Sequence, residues 1–153
     1  MTRRPRMVGG NPPRNPLASL PTILLLDADE PSCAMVRDAL LEGAKPTVLR
    51  VVASAAELEA YLESSPPPHL VLTDLDLPDG DGLRAVRAAK ETHRRIPVVG
   101  LTHRPEPQTV AAAYDAGANT VLPRPVTFLA LVRQMKVFTA YWLEAAALPE
   151  DLA

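Results

Sequence analysis

Seven side chains carry most of the chemistry this sequence offers. Asp27, Asp29 and Glu30 follow the apolar run Thr22-Ile-Leu-Leu-Leu26, Asp74 and Asp76 follow Leu70-Val-Leu-Thr73, Thr102 follows Pro97-Val-Val-Gly-Leu101, and Arg124 closes the run that begins Thr120-Val-Leu122. Carboxylates gathered within a few ångströms raise one another's pKa unless a cation neutralises them. A hard divalent ion does so, and magnesium takes one or two carboxylates together with waters and phosphate oxygens. A carboxylate is also a phosphoryl acceptor, forming an aspartyl phosphate. A hydroxyl and a cation opposite it can receive the phosphoryl oxygens. The set points to a metal-assisted phosphoryl site, provided the fold brings its members together.

The elements that must do this are legible as an alternation of short apolar runs with stretches of helical period, which implies βα units. Strands are predicted at Thr22–Leu26, Thr47–Val52, Leu70–Thr73, Pro97–Leu101 and Thr120–Leu122. The first helix follows Pro31, keeps Cys33, Val36 and Leu40 on one face and stops at Gly43. Ser54-Ala-Ala-Glu57 is a capping box opening the second helix, which ends before Pro66-Pro-Pro68. Asp74 to Gly82 reads as a loop, after which Leu83, Val86 and Ala89 begin the third helix's inner face. A fourth helix spans Glu106 to Ala116 with a stop at Gly117, and the last starts near Thr127. Five strands and five helices in strict alternation predict a flavodoxin-like, doubly wound parallel α/β sheet of order 2-1-3-4-5, with helices on both faces. In such sheets the site lies beyond the carboxyl ends of the strands, where all seven residues fall.

Composition agrees with one compact domain. The chain has 153 residues, 47% hydrophobic and 22% charged, which excludes a wholly disordered chain. Residues 1–20 read as a disordered, basic, Pro-rich arm, 21–144 as the domain and 145–153 as an extension of its last helix. The arm holds Arg3, Arg4, Arg6 and Arg14 and no acid, leaving 12 basic against 18 acidic residues in the remainder. Four arginines without interleaved aromatics make a weak phosphate footprint, so no nucleic-acid partner is expected. No apolar run is long enough to span a bilayer or to form a signal peptide, so no membrane role and a cytoplasmic location are expected. Cys33 is the one cysteine, which excludes an internal disulfide, and it falls on an inner helix face. His69, His93 and His103 read as loop or helix-end residues rather than ligands.

These residues resemble the receiver domains of bacterial two-component response regulators over roughly Thr22 to Glu144. The carriers are the acids after the first strand, Leu72-Thr-Asp74-Leu-Asp-Leu-Pro78-Asp-Gly-Asp-Gly82, Thr102 after its strand, and Ala116-Gly-Ala followed by Arg124-Pro125. The resemblance implies that Asp74 accepts a phosphoryl group from a sensor histidine kinase. It implies that Asp27, Asp29, Asp74 and the backbone carbonyl of Asp76 hold magnesium or manganese, and that Thr102 is the switch hydroxyl. Arg124 would stand in the place of the family's usual lysine and contact the phosphoryl group. Pro125 would follow through a cis peptide, an option essentially confined to X-Pro bonds. The tail Tyr141-Trp-Leu-Glu-Ala-Ala-Ala-Leu-Pro149 resembles that of single-domain regulators of bacterial phytochromes, which implies such a kinase as partner and no output domain.

Three positions depart from the family. Its adjacent acidic pair reads here as Asp27-Ala28-Asp29: counting from the strand makes Ala28 the second member, and counting back from Glu30-Pro31 makes it Asp29. Arginine in place of lysine substitutes a planar fork for a point charge. Val121 stands where the family often has an aromatic switch residue. The alternatives are a pseudo-receiver that takes no phosphate and, less in keeping with a D-x-D after the third strand, a haloacid-dehalogenase-like phosphatase. In the last helix Phe128, Leu131, Val132, Met135, Phe138 and Trp142 form a stripe expected to be core. Val137, Tyr141, Leu143 and Leu148 lie off or beyond that stripe, so a homodimer through this helix is expected.

Overall fold

The computed structural model describes residues 20–43 and 46–148. Apart from Leu20, the expected N-terminal arm lies outside the described residues, as do residues 149–153 of the expected extension. Five parallel strands, β1 (Thr22–Leu26), β2 (Val48–Val52), β3 (Leu70–Asp74), β4 (Val98–Thr102) and β5 (Thr120–Pro123), form one sheet in the order β2-β1-β3-β4-β5. Register runs unbroken from Ile23 beside Leu70 to Leu26 beside Thr73, and from Val71 beside Val98 to Asp74 beside Leu101. The ends of β1, β3 and β4 are therefore level, and Asp27, Asp74 and Thr102 meet there.

β1 and β3 are apolar at nearly every position because helices cover both faces of the sheet. Ile23, Leu25, Leu70, Leu72, Val99 and Leu101 point to the face covered by α1 (Glu30–Gly43) and α5 (Phe128–Thr139). Leu24, Leu26, Val71 and Val98 point to the other, covered by α2 (Ala55–Ser64), α3 (Asp81–Thr92) and α4 (Pro107–Ala116). The Ser54 side chain caps α2 by accepting from the Glu57 N–H at 3.1 Å, and Glu57 Oε2 accepts from the Ala53 N–H at 2.7 Å. Gly117, at φ 112°, ends α4 in the left-handed region that favours glycine. Cys33 is buried, as expected.

Three expectations shift. The loop after β3 contains a 3₁₀ turn, Pro78–Gly80, and α3 begins at Asp81, ahead of the expected inner face. Asp81 Oδ2 accepts from the Ala55 N–H at 2.8 Å, so one carboxylate ties the starts of α2 and α3 together. The last helix does not continue as an α-helix past Thr139: Ala140–Ala145 is π-helical, closed by the Ala146 N–H on the Tyr141 carbonyl at 2.7 Å. At that junction the Thr139 hydroxyl donates to the Met135 carbonyl at 2.8 Å, a back-bond that disturbs regular helix. The wider turn lets Trp142 and Leu143 pack against the α1/α5 core. Phe128, the first residue of α5, departs from the expected stripe and is 41% exposed.

Gly82 sets how closely α3 approaches the end of β3. A Cβ there would lie 2.3 Å from the Asp74 carbonyl oxygen and 2.9 Å from Leu75 Cα, both backbone atoms with no freedom to yield. Gly82→Ala is expected to cost about 1–3 kcal/mol in urea unfolding; an unchanged midpoint would show that the two segments are not in contact.

Candidate functional site

Asp27 is buried at the end of β1 and sits at the centre of a network. Its Oδ2 accepts from Arg124 Nη1 at 3.1 Å and from the Ser32 hydroxyl, and its Oδ1 accepts from the Asp29 N–H at 3.0 Å. Arg124 Nη2 donates to the Ser32 carbonyl at 3.1 Å. The Arg124 side chain is 5% exposed and that of Asp27 is 0% exposed, so this is a buried ion pair joining the ends of β1 and β5 through the first turn of α1. The Arg124 N–H also donates to the Thr102 carbonyl at 2.7 Å, fixing β5 to β4 at the same level.

Asp74 is half-buried, and its Oδ1 accepts from the Asp76 N–H at 2.8 Å. Burial first, then the neighbouring carboxylates of Asp27 and Asp76, push its carboxyl above the ordinary value of 3.8. The Asp76 N–H and the Arg124 charge pull the other way and do not offset this. Thr102 is fully buried at the end of β4. Its hydroxyl donates to Asp76 Oδ1 at 2.7 Å and accepts from the Arg104 N–H at 3.1 Å, while the His103 N–H donates to Asp76 Oδ2 at 2.8 Å.

The structure thus gathers Asp27, Asp74, Asp76, Thr102 and Arg124. Asp29 is exposed and its Oδ2 accepts from the Ser32 N–H at 3.0 Å, which makes it a cap for α1; Glu30 is exposed in the first turn. Ala28 is exposed and carries no donor atom on its side chain. Arg124 pairs with Asp27 and not with Asp74, because its fork reaches both Asp27 and the Ser32 carbonyl from one position. No peptide bond among the described residues is cis, that before Pro125 included; the trans form is the lower-energy isomer even before proline. One participant had no signal in the sequence: Ser32 serves Asp27 only because α1 starts beside it. Asp76, one of the acids expected here, engages Thr102 through its side chain and not only through its carbonyl. At Val121 the Tyr114 hydroxyl accepts from the backbone N–H at 3.2 Å, so an aromatic reaches this strand from α4 instead.

Among the described residues no group of three or more carboxylate, histidine or cysteine side chains is disposed to hold a metal ion unaided. The donors nevertheless suit magnesium, which takes one or two carboxylates and completes its shell with carbonyl, water and phosphate oxygens. Burial first, and then the Asp27 and Asp76 carboxylates, keep the Asp74 carboxyl above its ordinary value despite the Arg124 charge.

Residues 23–136 match the sequence profile of the response regulator receiver domain. This chain is a member of that family. It is 29% identical over 147 residues to Response regulator Rcp1 of Synechocystis, an alignment covering 91% of this chain and 95% of Rcp1. Among solved structures it resembles the phosphorylated cyanobacterial phytochrome response regulator RcpA, with TM-score 0.78 and 26% identity over 86% of this chain and all of RcpA. The Mn(2+)-bound form of Rcp1 gives TM-score 0.74 and 28% identity over 84% of this chain and 99% of that one. By contrast it spans 20% of NtrC and 50% of KdpE from Escherichia coli, so those regulators carry further sequence beyond the shared part. The receiver is a signalling module, and the third-strand position of Asp74-Leu-Asp76 belongs to it rather than to a phosphatase.

A carboxyl whose pKa is raised by folding holds its proton to higher pH in the folded chain than in the unfolded one, so stability falls as pH rises through the window from 3.8 to the raised value. Above that window Asp74→Asn, which removes the charge, is expected to melt at a higher temperature than the parent. The gap closes as pH falls through 3.8. Thermal melts across pH in the presence of a chelator read this directly, and a pH-independent gap would contradict it.

Proposed function

We propose that this chain accepts a phosphoryl group on Asp74 from a sensor histidine kinase and transmits that event through protein contacts. The supporting observation is a half-buried carboxylate of raised proton affinity, set level with a fully buried hydroxyl at Thr102 and a buried cation at Arg124. Asp74 Oδ1 is engaged by the Asp76 N–H, and Oδ2 accepts no hydrogen bond among the described residues, which leaves Oδ2 as the nucleophile. It attacks the phosphorus of a phosphohistidine; the P–N bond breaks and its electron pair leaves with the imidazole.

Asp27, Asp74 and the Asp76 carbonyl, with Asp29 beside them, are the proposed holders of magnesium or manganese, which when bound neutralises the oxygens of the transferred group. Thr102 reads the phosphoryl oxygen rather than forming the bond, and Arg124 balances the charge of Asp27. Any turnover of its own is limited to metal-dependent gain and loss of this phosphoryl group. The likeness to Rcp1 and RcpA favours a phytochrome as the kinase. No described helix is long and apolar enough to cross a membrane, and a cytoplasmic location is part of the proposal.

The pairing of Arg124 with Asp27 instead of Asp74 favours a second reading, a pseudo-receiver whose site is locked by its own ion pair. Labelling separates the two. With acetyl phosphate and magnesium the parent chain is expected to gain one labile, hydroxylamine-sensitive phosphate by mass spectrometry. Asp74→Asn, nearly isosteric but a poor nucleophile, is expected to gain none. A parent that stays unlabelled under these conditions is the pseudo-receiver.

The proposed output is a homodimer through α5. Leu129, Val137 and Tyr141 are 60%, 71% and 57% exposed, and an apolar groove between Leu122, Val137, Phe138 and Trp142 runs beside them. Two-fold pairing of this face would bury both copies at once. Val137→Glu combined with Tyr141→Glu is expected to convert a dimer to a monomer at micromolar concentration in sedimentation velocity. Identical sedimentation of parent and variant would remove this face as the interface.

A further inference from the structure

Asp76 entered the site through its backbone carbonyl, yet its side chain makes the more telling contacts. One carboxylate oxygen takes the only proton of the Thr102 hydroxyl at 2.7 Å, and the other takes the His103 N–H at 2.8 Å. The hydroxyl oxygen is itself held by the Arg104 N–H at 3.1 Å, so Thr102 has no proton left for a second acceptor. The other donors near Asp74 are also committed: the Asp76 N–H to Asp74 Oδ1, and the Arg124 fork to Asp27 and the Ser32 carbonyl. A planar anion with two acceptor oxygens therefore occupies the two donors at the end of β4 that a new anion on Asp74 would need.

We propose that the Asp76 carboxylate is an internal competitor of the phosphoryl group, holding the Thr102 hydroxyl and the His103 N–H in the resting chain and surrendering both when Asp74 is modified. This rests on the reading of Asp74 as the phosphoacceptor. Two physical facts give the exchange its direction. Asp76 is exposed, in an open cleft it shares with His103 and Arg104, so it can swing into water at little cost. It is also within electrostatic reach of Asp74, whose proton affinity it already raises, and a phosphoryl group brings about 1.5 to 2 further negative charges to that position. Like-charge repulsion then expels the Asp76 carboxylate while charge-assisted hydrogen bonds draw the two donors to the phosphoryl oxygens. Asp76 acts as a positioning residue: it sets what anion affinity the site shows and couples the movement of Thr102 to occupancy of Asp74.

The test is a double-mutant cycle read by binding of fluoroberyllate, a tetrahedral mimic of a phosphoryl group on a carboxylate, in magnesium buffer by calorimetry. Asp76→Ala is expected to bind about tenfold more tightly than the parent, and Asp76→Asn, which keeps one acceptor oxygen, to fall between them. In a Thr102→Ala background the gain from Asp76→Ala is expected to shrink to about threefold or less, because the contested hydroxyl is gone. General relief of negative charge would instead leave the gain intact in that background, and this result overturns the proposal. So does an Asp76→Ala variant that binds no more tightly than the parent. If the parent and Asp76→Ala both fail to bind fluoroberyllate, the phosphoacceptor reading itself fails, an outcome distinct from the other two.

Discussion

The ion pair between Asp27 and Arg124 is the contact on which the site depends. It joins residues 97 apart in sequence, and both side chains are almost wholly removed from water. Removing a carboxylate and a guanidinium from water costs several kcal/mol each, of the order that continuum arguments assign, and this is recovered only where geometry and further hydrogen bonds are good. Here they are: the carboxylate also takes the Ser32 hydroxyl and the Asp29 N–H, and the guanidinium also takes the Ser32 carbonyl. One buried charge without the other would be among the most costly defects this fold could carry. The ends of β1 and β5 and the start of α1 are thereby obliged to arrive at one place, and the Arg124 N–H on the Thr102 carbonyl brings β4 with them.

An arginine does this where a lysine would not. A lysine is a point charge with three rotatable donors, free to lean toward whichever carboxylate is most negative; the arginine fork binds two fixed acceptors and is held by both. Arg124 consequently stays on Asp27 and the Ser32 carbonyl, and Asp74 keeps a raised proton affinity despite a cation in the same pocket. The site rests with its positive charge spent on one carboxylate and the Thr102 hydroxyl spent on another, Asp76.

The parts of this that were legible in the sequence are those governed by local pattern. The apolar run Thr22-Ile-Leu-Leu-Leu26 ends at Asp27 because a strand buried on both faces tolerates no charge until it leaves the sheet, and the observed strand has those bounds. Ser54 and Gly117 announce helix boundaries by side-chain chemistry and backbone freedom, and both boundaries were found. The strand order expected of a flavodoxin-like doubly wound sheet is the one observed. What escaped was set by tertiary distance or by choice among equals. Whether Arg124 reaches Asp27 or Asp74 depends on where the Ser32 carbonyl lies, which no spacing encodes. Asp29 and Asp27 look alike as residues, and only the direction of the chain entering α1 makes one a helix cap and the other a buried anion. The change to π-helix at Ala140 likewise follows from Trp142 and Leu143 finding a core to pack on.

Two faces of the molecule are then linked by short, stiff routes. Thr102 and Arg124 share a hydrogen bond at the ends of β4 and β5, and the Val121 N–H, earlier in β5, donates to the hydroxyl of Tyr114 in α4, an exposed residue. The Gln134 side chain of α5 donates to the Pro123 carbonyl at 2.6 Å, next to Arg124. In the proposed exchange a displacement of Thr102 toward Asp74 would act on the backbone that carries Arg124, and through Pro123 and Val121 on the contacts with Gln134 of α5 and Tyr114 of α4. Packed interiors resist continuous deformation and shift between discrete arrangements. The exposed residues of α4 and α5 are carried by the same two strand ends that hold the site. Between Asp76, Thr102 and Arg124 and the apolar surface around Val137 and Tyr141 lie the Arg124 N–H on the Thr102 carbonyl and the Gln134 side chain on the Pro123 carbonyl.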